Sequence, residues 1–199
     1  MKVVILLMLS ALFLGCSTEG EIKLINATSH YVYVEFESNN YVIEGSEDIP
    51  EYLILPVDTG KRFLFWSGDD EKVEIALEGE TFAMYDFGEE VSTTEMVVKP
   101  NEASIAYLNP TNACVKIIND SGQEISDFGY YMDGGNFSPI ITDNNIAVGD
   151  SLYYRLIPST QEDVITYRFE YRFEGAGDMI STGEINTLYV DEVFIIPVQ

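Results

Sequence analysis

Wherever this chain is apolar, it tends to be apolar at every second position. Val32, Val34 and Phe36 fall on one side of an extended segment, with Tyr31, Tyr33 and Glu35 on the other. Val73, Ile75 and Leu77 alternate with Lys72, Glu74, Ala76 and Glu78. The longest case sets Tyr167, Phe169, Tyr171 and Phe173 against Arg168, Glu170, Arg172 and Glu174. A strand points successive side chains to opposite faces, so it is the regular structure that separates such sets cleanly. Past the first fifteen residues no segment keeps a helical period over three turns. Turn-forming clusters punctuate the strands: Ser38-Asn39-Asn40, Asp58-Thr59-Gly60, Ser67-Gly68-Asp69, Asp133-Gly134-Gly135-Asn136 and Gly175-Ala176-Gly177. The pattern predicts an all-β chain.

The two halves also read alike. Lys23-Leu24-Ile25-Asn26-Ala27-Thr28-Ser29 matches Lys116-Ile117-Ile118-Asn119-Asp120-Ser121-Gly122. Tyr52-Leu53-Ile54-Leu55-Pro56 matches Tyr154-Arg155-Leu156-Ile157-Pro158, and Ser104–Pro110 matches Glu192–Pro197. Three matches in one order predict a duplicated unit of roughly 90 residues with seven or eight strands, the size of an immunoglobulin-like β-sandwich. The expected organisation is two tandem sandwich domains, 21–111 and 112–199, with a single long sandwich or barrel as the rival. Asn26-Ala27-Thr28 and Asn119-Asp120-Ser121 have the form of glycosylation acceptors, as does Asn136-Phe137-Ser138. Their repetition favours a shared polar turn after the first strand of each domain, with the asparagine bonding the backbone nearby.

The N-terminus breaks the alternation. Lys2 precedes an apolar run from Val3 to Leu14, interrupted only by Ser10. That run is too short for the roughly 20 residues a membrane-spanning helix needs, and it fits a signal-peptide core. Leu14-Gly15-Cys16 follows at once. The segment resembles a type II bacterial signal peptide, although Phe13 stands where Leu is usual. The resemblance implies removal of residues 1–15, with Gly15 the last residue lost and Cys16 carrying diacylglycerol and an amide-linked acyl chain. Residues 16–20 would form a short lipidated tether. Ser17 rather than Asp after the cysteine points, by the same resemblance, to the outer membrane of the cell envelope.

Charge narrows the partners. The whole chain has 10 Lys+Arg against 34 Asp+Glu, and loss of Lys2 leaves 9 − 34 = −25 on the mature protein. Phosphate recognition relies on clustered Lys and Arg, so nucleic acid is excluded as a partner. Anionic headgroups would also repel the body, which is expected to stand off the membrane. Disorder is the ordinary outcome of such charge, but 46% hydrophobic and 13% aromatic residues suffice to build cores. Cys16 and Cys114 are the only cysteines. With Cys16 acylated no internal disulfide can form, and Cys114 beside Val115 reads as a buried, inert thiol.

The search for chemistry yields little. His30 stands alone, with no motif to make it a base or a ligand, and is expected to serve a strand edge or cap. Phosphate-cradling glycine patterns are absent. No cofactor is expected, and among 34 acids, pairs arise by chance. Calcium, which takes six to eight oxygens, has weak candidates in Asp69, Asp70 and Glu71, in Asp133 through Asn136, and in Asp143-Asn144-Asn145. Trp66, with Tyr130 and Tyr131 in the matching stretch, could stack on a sugar. The expected function is a non-enzymatic, membrane-anchored envelope lipoprotein that binds a protein or acts as a spacer. The alternative is a glycan-binding surface sandwich, with or without calcium. A contiguous exposed apolar patch would favour the first and an aromatic platform the second.

Overall fold

A computed structural model describes residues 16–62, 69–141, 145–183 and 185–199. Among them the chain forms strands and no helix, in several sheets. The all-β class read from the alternation is the class adopted. The described residues gather into two compact units. One runs to Glu78 and resumes over Met84–Asn109; the other holds Gly79–Ala83 and Pro110–Gln199. Five residues that lie within 21–111 by sequence therefore belong with the second unit.

The first unit contains β1 (Cys16–Asn26), β2 (Val32–Phe36), β3 (Asn39–Ile43), β4 (Glu51–Arg62), β5 (Glu71–Gly79), β6 (Met84–Asp86), β7 (Glu89–Val91), β8 (Thr93–Val98) and β9 (Ala103–Leu108). One sheet has the order β4-β1-β9, the other β3-β2-β5-β8, and β6 and β7 form a small hairpin. β1 runs antiparallel to β4 and parallel to β9. Ile22, Leu24, Leu55, Val57 and Leu108 from the first sheet are buried, as are Val32, Val34, Phe36, Ile75, Leu77 and Val98 from the second. Each strand thus puts one face inward, as the period of two requires.

The second unit contains β10 (Ala113–Asn119), β11 (Ile125–Met132), β12 (Phe137–Pro139), β13 (Ser151–Leu156), β14 (Thr166–Phe173), β15 (Ile180–Ser181), β16 (Asn186–Thr187) and β17 (Val193–Val198). Its sheets run β13-β10-β17 and β12-β11-β14-β15, with β16 also on β14. Again the first strand lies antiparallel to one neighbour and parallel to the last strand of the unit. Val115, Ile117, Leu156, Ile196 and Val198 from one sheet share a single core with Ile125, Phe128, Tyr167 and Phe169 from the other. In size and two-sheet layering each unit is an immunoglobulin-like sandwich.

The polar turn is repeated bond for bond. Asn26, fully buried, donates from Nδ2 to the carbonyls of His30, Ile43 and Glu44 at 2.8, 3.2 and 3.0 Å. Its Oδ1 accepts from the Thr28 amide and hydroxyl. Asn119 donates to Gln123, Ile146 and Ala147 at 2.9, 2.9 and 3.2 Å and accepts from the Ser121 amide and hydroxyl. His30 closes the first turn with its backbone amide, bonded to the Thr28 hydroxyl. A side chain at Gly45 would collide with the backbone of Ser29 and His30, so the approach of this segment to the turn requires glycine.

One expectation is corrected. Residues 16–20 are not a tether but the first half of β1, paired with β4 from Cys16 opposite Arg62 onward. Thr18 and Gly20 are buried, and Thr59 donates its hydroxyl to the Thr18 carbonyl at 2.9 Å. Ser, Thr and Gly read as linker by composition, yet a long facing strand supplies their backbone with partners and draws them into the sheet.

Candidate binding surface

The outward side of the sheet β4-β1-β9 is built from positions that the alternation would make polar. Cross-strand register sets three rows across it: Tyr52–Ile25–Tyr107, Ile54–Lys23–Ile105 and Pro56–Glu21–Ala103. With strands spaced about 4.8 Å apart, the rows form one patch roughly 10 Å across. Tyr52, Ile54, Ile105 and Tyr107 expose 56, 44, 55 and 64% of their surface. The Lys23 ammonium lies 4.3 Å from the centroid of the Tyr52 ring, a cation–π contact. Among the described residues no carboxylate pairs with it.

The second unit carries the same face with different occupants. Its rows are Ser151–Ile118–Pro197, Tyr153–Lys116–Ile195 and Arg155–Cys114–Val193. Lys116 takes the place of Lys23. Here Gly79–Ala83 of the same unit covers the part of the face around Lys116, Cys114 and Arg155, while Ser151, Ile195 and Pro197 stay exposed. Glu80, almost wholly buried, receives the Lys116 ammonium at 2.6 Å. Arg155 Nη1 donates to the Gly79 carbonyl at 2.8 Å, and the Thr111 and Asn112 amides both donate to the Thr81 carbonyl. Cys114 is sealed beneath. Burial, and next the nearby Glu80 carboxylate, push its thiol up to about 12, so the inert reading of Cys114 holds.

The remaining sequence candidates separate rather than converge. Tyr130 and Tyr131 are neighbours in β11 and so point to opposite faces. Tyr130 packs inward, 5.6 Å from Tyr167 and 6.1 Å from Tyr154, and burial raises its phenol. Tyr131 faces outward, 5.4 Å from Phe137 and 4.3 Å from the Arg168 guanidinium. They cannot form one platform, and Trp66 lies outside the described residues. Asp69 and Asp70 are exposed ahead of β5, where Glu71 pairs with Val98. The Asp133 carboxylate accepts from the Thr166 amide and hydroxyl at 2.8 and 3.0 Å, locking its own left-handed turn, and Asn136 is exposed beyond it. Asn145 bonds Glu124; Asp143 and Asn144 lie outside the described residues. Among the described residues no three His, Cys, Asp or Glu gather as a metal site.

Two open grooves of about 410 and 520 Å³ lie on the first unit. Tyr33, Glu35, Val42 and Glu78 help line the first, and Glu19, Glu21, Asn101 and Glu102 the second. Histidine and cysteine are absent from both linings. In the sequence the residues of this exposed sheet face stand out only as repeat matches. A signal is present: Tyr52-Leu53-Ile54-Leu55 and Ile105-Ala106-Tyr107-Leu108 are apolar on both faces, unlike the alternating strands of Val32–Phe36 and Tyr167–Glu174.

No protein-family model matches the chain, and no curated protein matches it by sequence. Solved structures resemble it only distantly. The Bacillus anthracis TIE protein aligns with 92% of this chain at 11% identity and a TM-score of 0.32; the chain spans about a third, 34%, of that protein. The major pilin T-13 of Streptococcus pyogenes aligns over 90% of this chain and 95% of its own, at 9% identity and a TM-score of 0.26. A candidate cell adhesion protein of Bacteroides ovatus aligns over 88 and 90%, at 8% identity and a TM-score of 0.29.

Proposed function

We propose that this chain is a non-enzymatic lipoprotein of the cell envelope, held by lipid on Cys16, whose first unit binds a protein through the outward face of β4-β1-β9. The observation that carries the reading is the contiguous exposed Tyr52, Ile54, Ile105 and Tyr107. Single exposed apolar residues are ordinary, whereas a patch spanning three strands marks an interaction surface. A glycan platform would have to use Tyr52 and Tyr107 of this same face, since Tyr130 packs in the core and Tyr131 against Arg168 and Phe137; the exposed Ile54 and Ile105 in the next row favour a protein.

Two measurements test it. Metabolic labelling with a fatty acid should mark the wild type and not Cys16→Ser; label retained on the variant overturns the anchor. A photo-cross-linker at position 107 should capture a protein in cells, and one at the exposed position 148, on the other unit, should not. Equal capture at both positions defeats the assignment of the face.

A further inference from the structure

The duplication supplies a template for what covers the open face. In the second unit the Lys116 face is occupied by the connection leaving β5, and in the second unit β14 holds the place that β5 holds in the first. The two strands end alike, Leu77-Glu78-Gly79 and Phe173-Glu174-Gly175. The connection after β5 is buried on a lysine-bearing face. The connection after β14, Glu174 to Asp178, is exposed throughout and carries an acid at each end. The chain therefore holds one covered lysine face, one open lysine face, and one unused acidic connection of the kind that does the covering.

We propose that the open Lys23 face of the first unit seats the Glu174–Met179 turn of a second copy of this chain. Ala176 stands where Glu80 stands in the aligned connection, so the carboxylate that Lys23 lacks comes instead from Glu174 or Asp178 at the ends of the turn, and Ala176 and Met179 rest on Ile54 and Ile105. The inference builds on the protein-binding reading of this face and names its occupant. Pro56 stands where Arg155 stands in the second unit, so the backbone-gripping guanidinium is not repeated and the contact is weaker than its template. Face and turn are different surfaces of one chain, so the contact is head-to-tail and does not close at two copies.

Sedimentation velocity on the chain from residue 16 onward, which contains every described residue, tests this with Cys16→Ser to exclude lipid. Runs at about 0.5 M sodium chloride screen the self-repulsion of a −25 chain. Over a range from roughly 10 to 500 µM, typical of weak association, the mean mass should rise past two copies. The face variant Ile105→Asp/Tyr107→Asp and the turn variant Glu174→Lys/Asp178→Lys should each remain single chains, with circular dichroism melts confirming that they fold. Their equimolar mixture should form a complex that stops at two, because one intact face and one intact turn remain. A single chain at every concentration overturns the proposal, as does a dimer that the turn variant leaves unchanged. In either case a cross-link from position 107 to some other protein would leave the protein-binding reading standing.

Discussion

Lys23 and Lys116 occupy the same site in two copies of one sandwich, yet one lies on an open tyrosine ring and the other under a buried glutamate. The strands around them keep the same order and register, and the Asn26 and Asn119 turns keep the same bonds. What differs is the outward residues of neighbouring strands and a five-residue segment brought from elsewhere in the chain. The interior of a sandwich is fixed by its own alternation. The fate of its outer face is decided by what else reaches it.

The largest expected effect probes what the units share. Asn26→Ala and Asn119→Ala each strand several buried carbonyls and a hydroxyl, and each should destabilise its own unit by about 3–5 kcal/mol. Calorimetry should then show one transition lowered and the other kept. A variant that lowers both transitions equally would mean the units do not melt apart.

The next effect breaks the symmetry. Glu80→Gln removes the buried carboxylate that receives the Lys116 ammonium at 2.6 Å and should cost about 2–4 kcal/mol in the second unit. Lys23→Ala loses only an exposed contact and should cost under about 1 kcal/mol in the first. Urea titrations of the two variants measure the gap, and equal losses would erase the contrast between the faces.

Alkaline pH should sharpen it. Cys114 rises from 9.0 to about 12 and Tyr167 from 10.0 to about 12, in both cases chiefly through burial, and both lie in the second unit. A raised acid is protonated in the fold while the unfolded chain has already ionised. The stability is therefore complete below pH 9 and drains as pH climbs toward 12, by about 1–3 kcal/mol near pH 11. Cys114→Ala should remove part of this slope. A second-unit melt flat from pH 8 to 11 would refute the sealed thiol.

The smallest effect lies at acid pH. Bonding from the Arg172 guanidinium, at 2.7 and 2.9 Å, holds the Asp127 carboxyl below its ordinary value. Its contribution is present above about pH 4 and lost as pH falls through the lowered value. The pair is over a third exposed, so Asp127→Asn should cost less than about 1 kcal/mol at neutral pH and flatten the acid limb slightly.

The alternation of Val32, Val34 and Phe36, and of Tyr167 and Phe169, was legible because a buried face tolerates few polar residues. The Asn turns were legible because their bonds are local. Register was not. Matching Tyr52 to Tyr154 found the right strands, but the ladders equate Tyr52 with Ser151, three residues away (151 against 154). Likewise Ser104 stands with Phe194 rather than Glu192, two residues away (194 against 192). The three-residue shift moves a residue to the other face and the two-residue shift slides it along the same one, and a comparison blind to pairing sees neither. The covering segment Gly79–Ala83 was invisible for another reason: its partners, Thr111, Lys116 and Arg155, lie far along the chain.

That Cys16 itself stands in β1, opposite Arg62, has a mechanical meaning. With lipid on Cys16, a pull on the anchor runs along the axis of β1, between β4 on one side and β9 on the other. Ladder hydrogen bonds lie across that axis, so the load shears many of them together instead of peeling them one by one. Built this way, the first unit is a grip that resists traction at its root. Were Cys16 so anchored, force would slacken the hairpins and turns of this unit before it drew out β1.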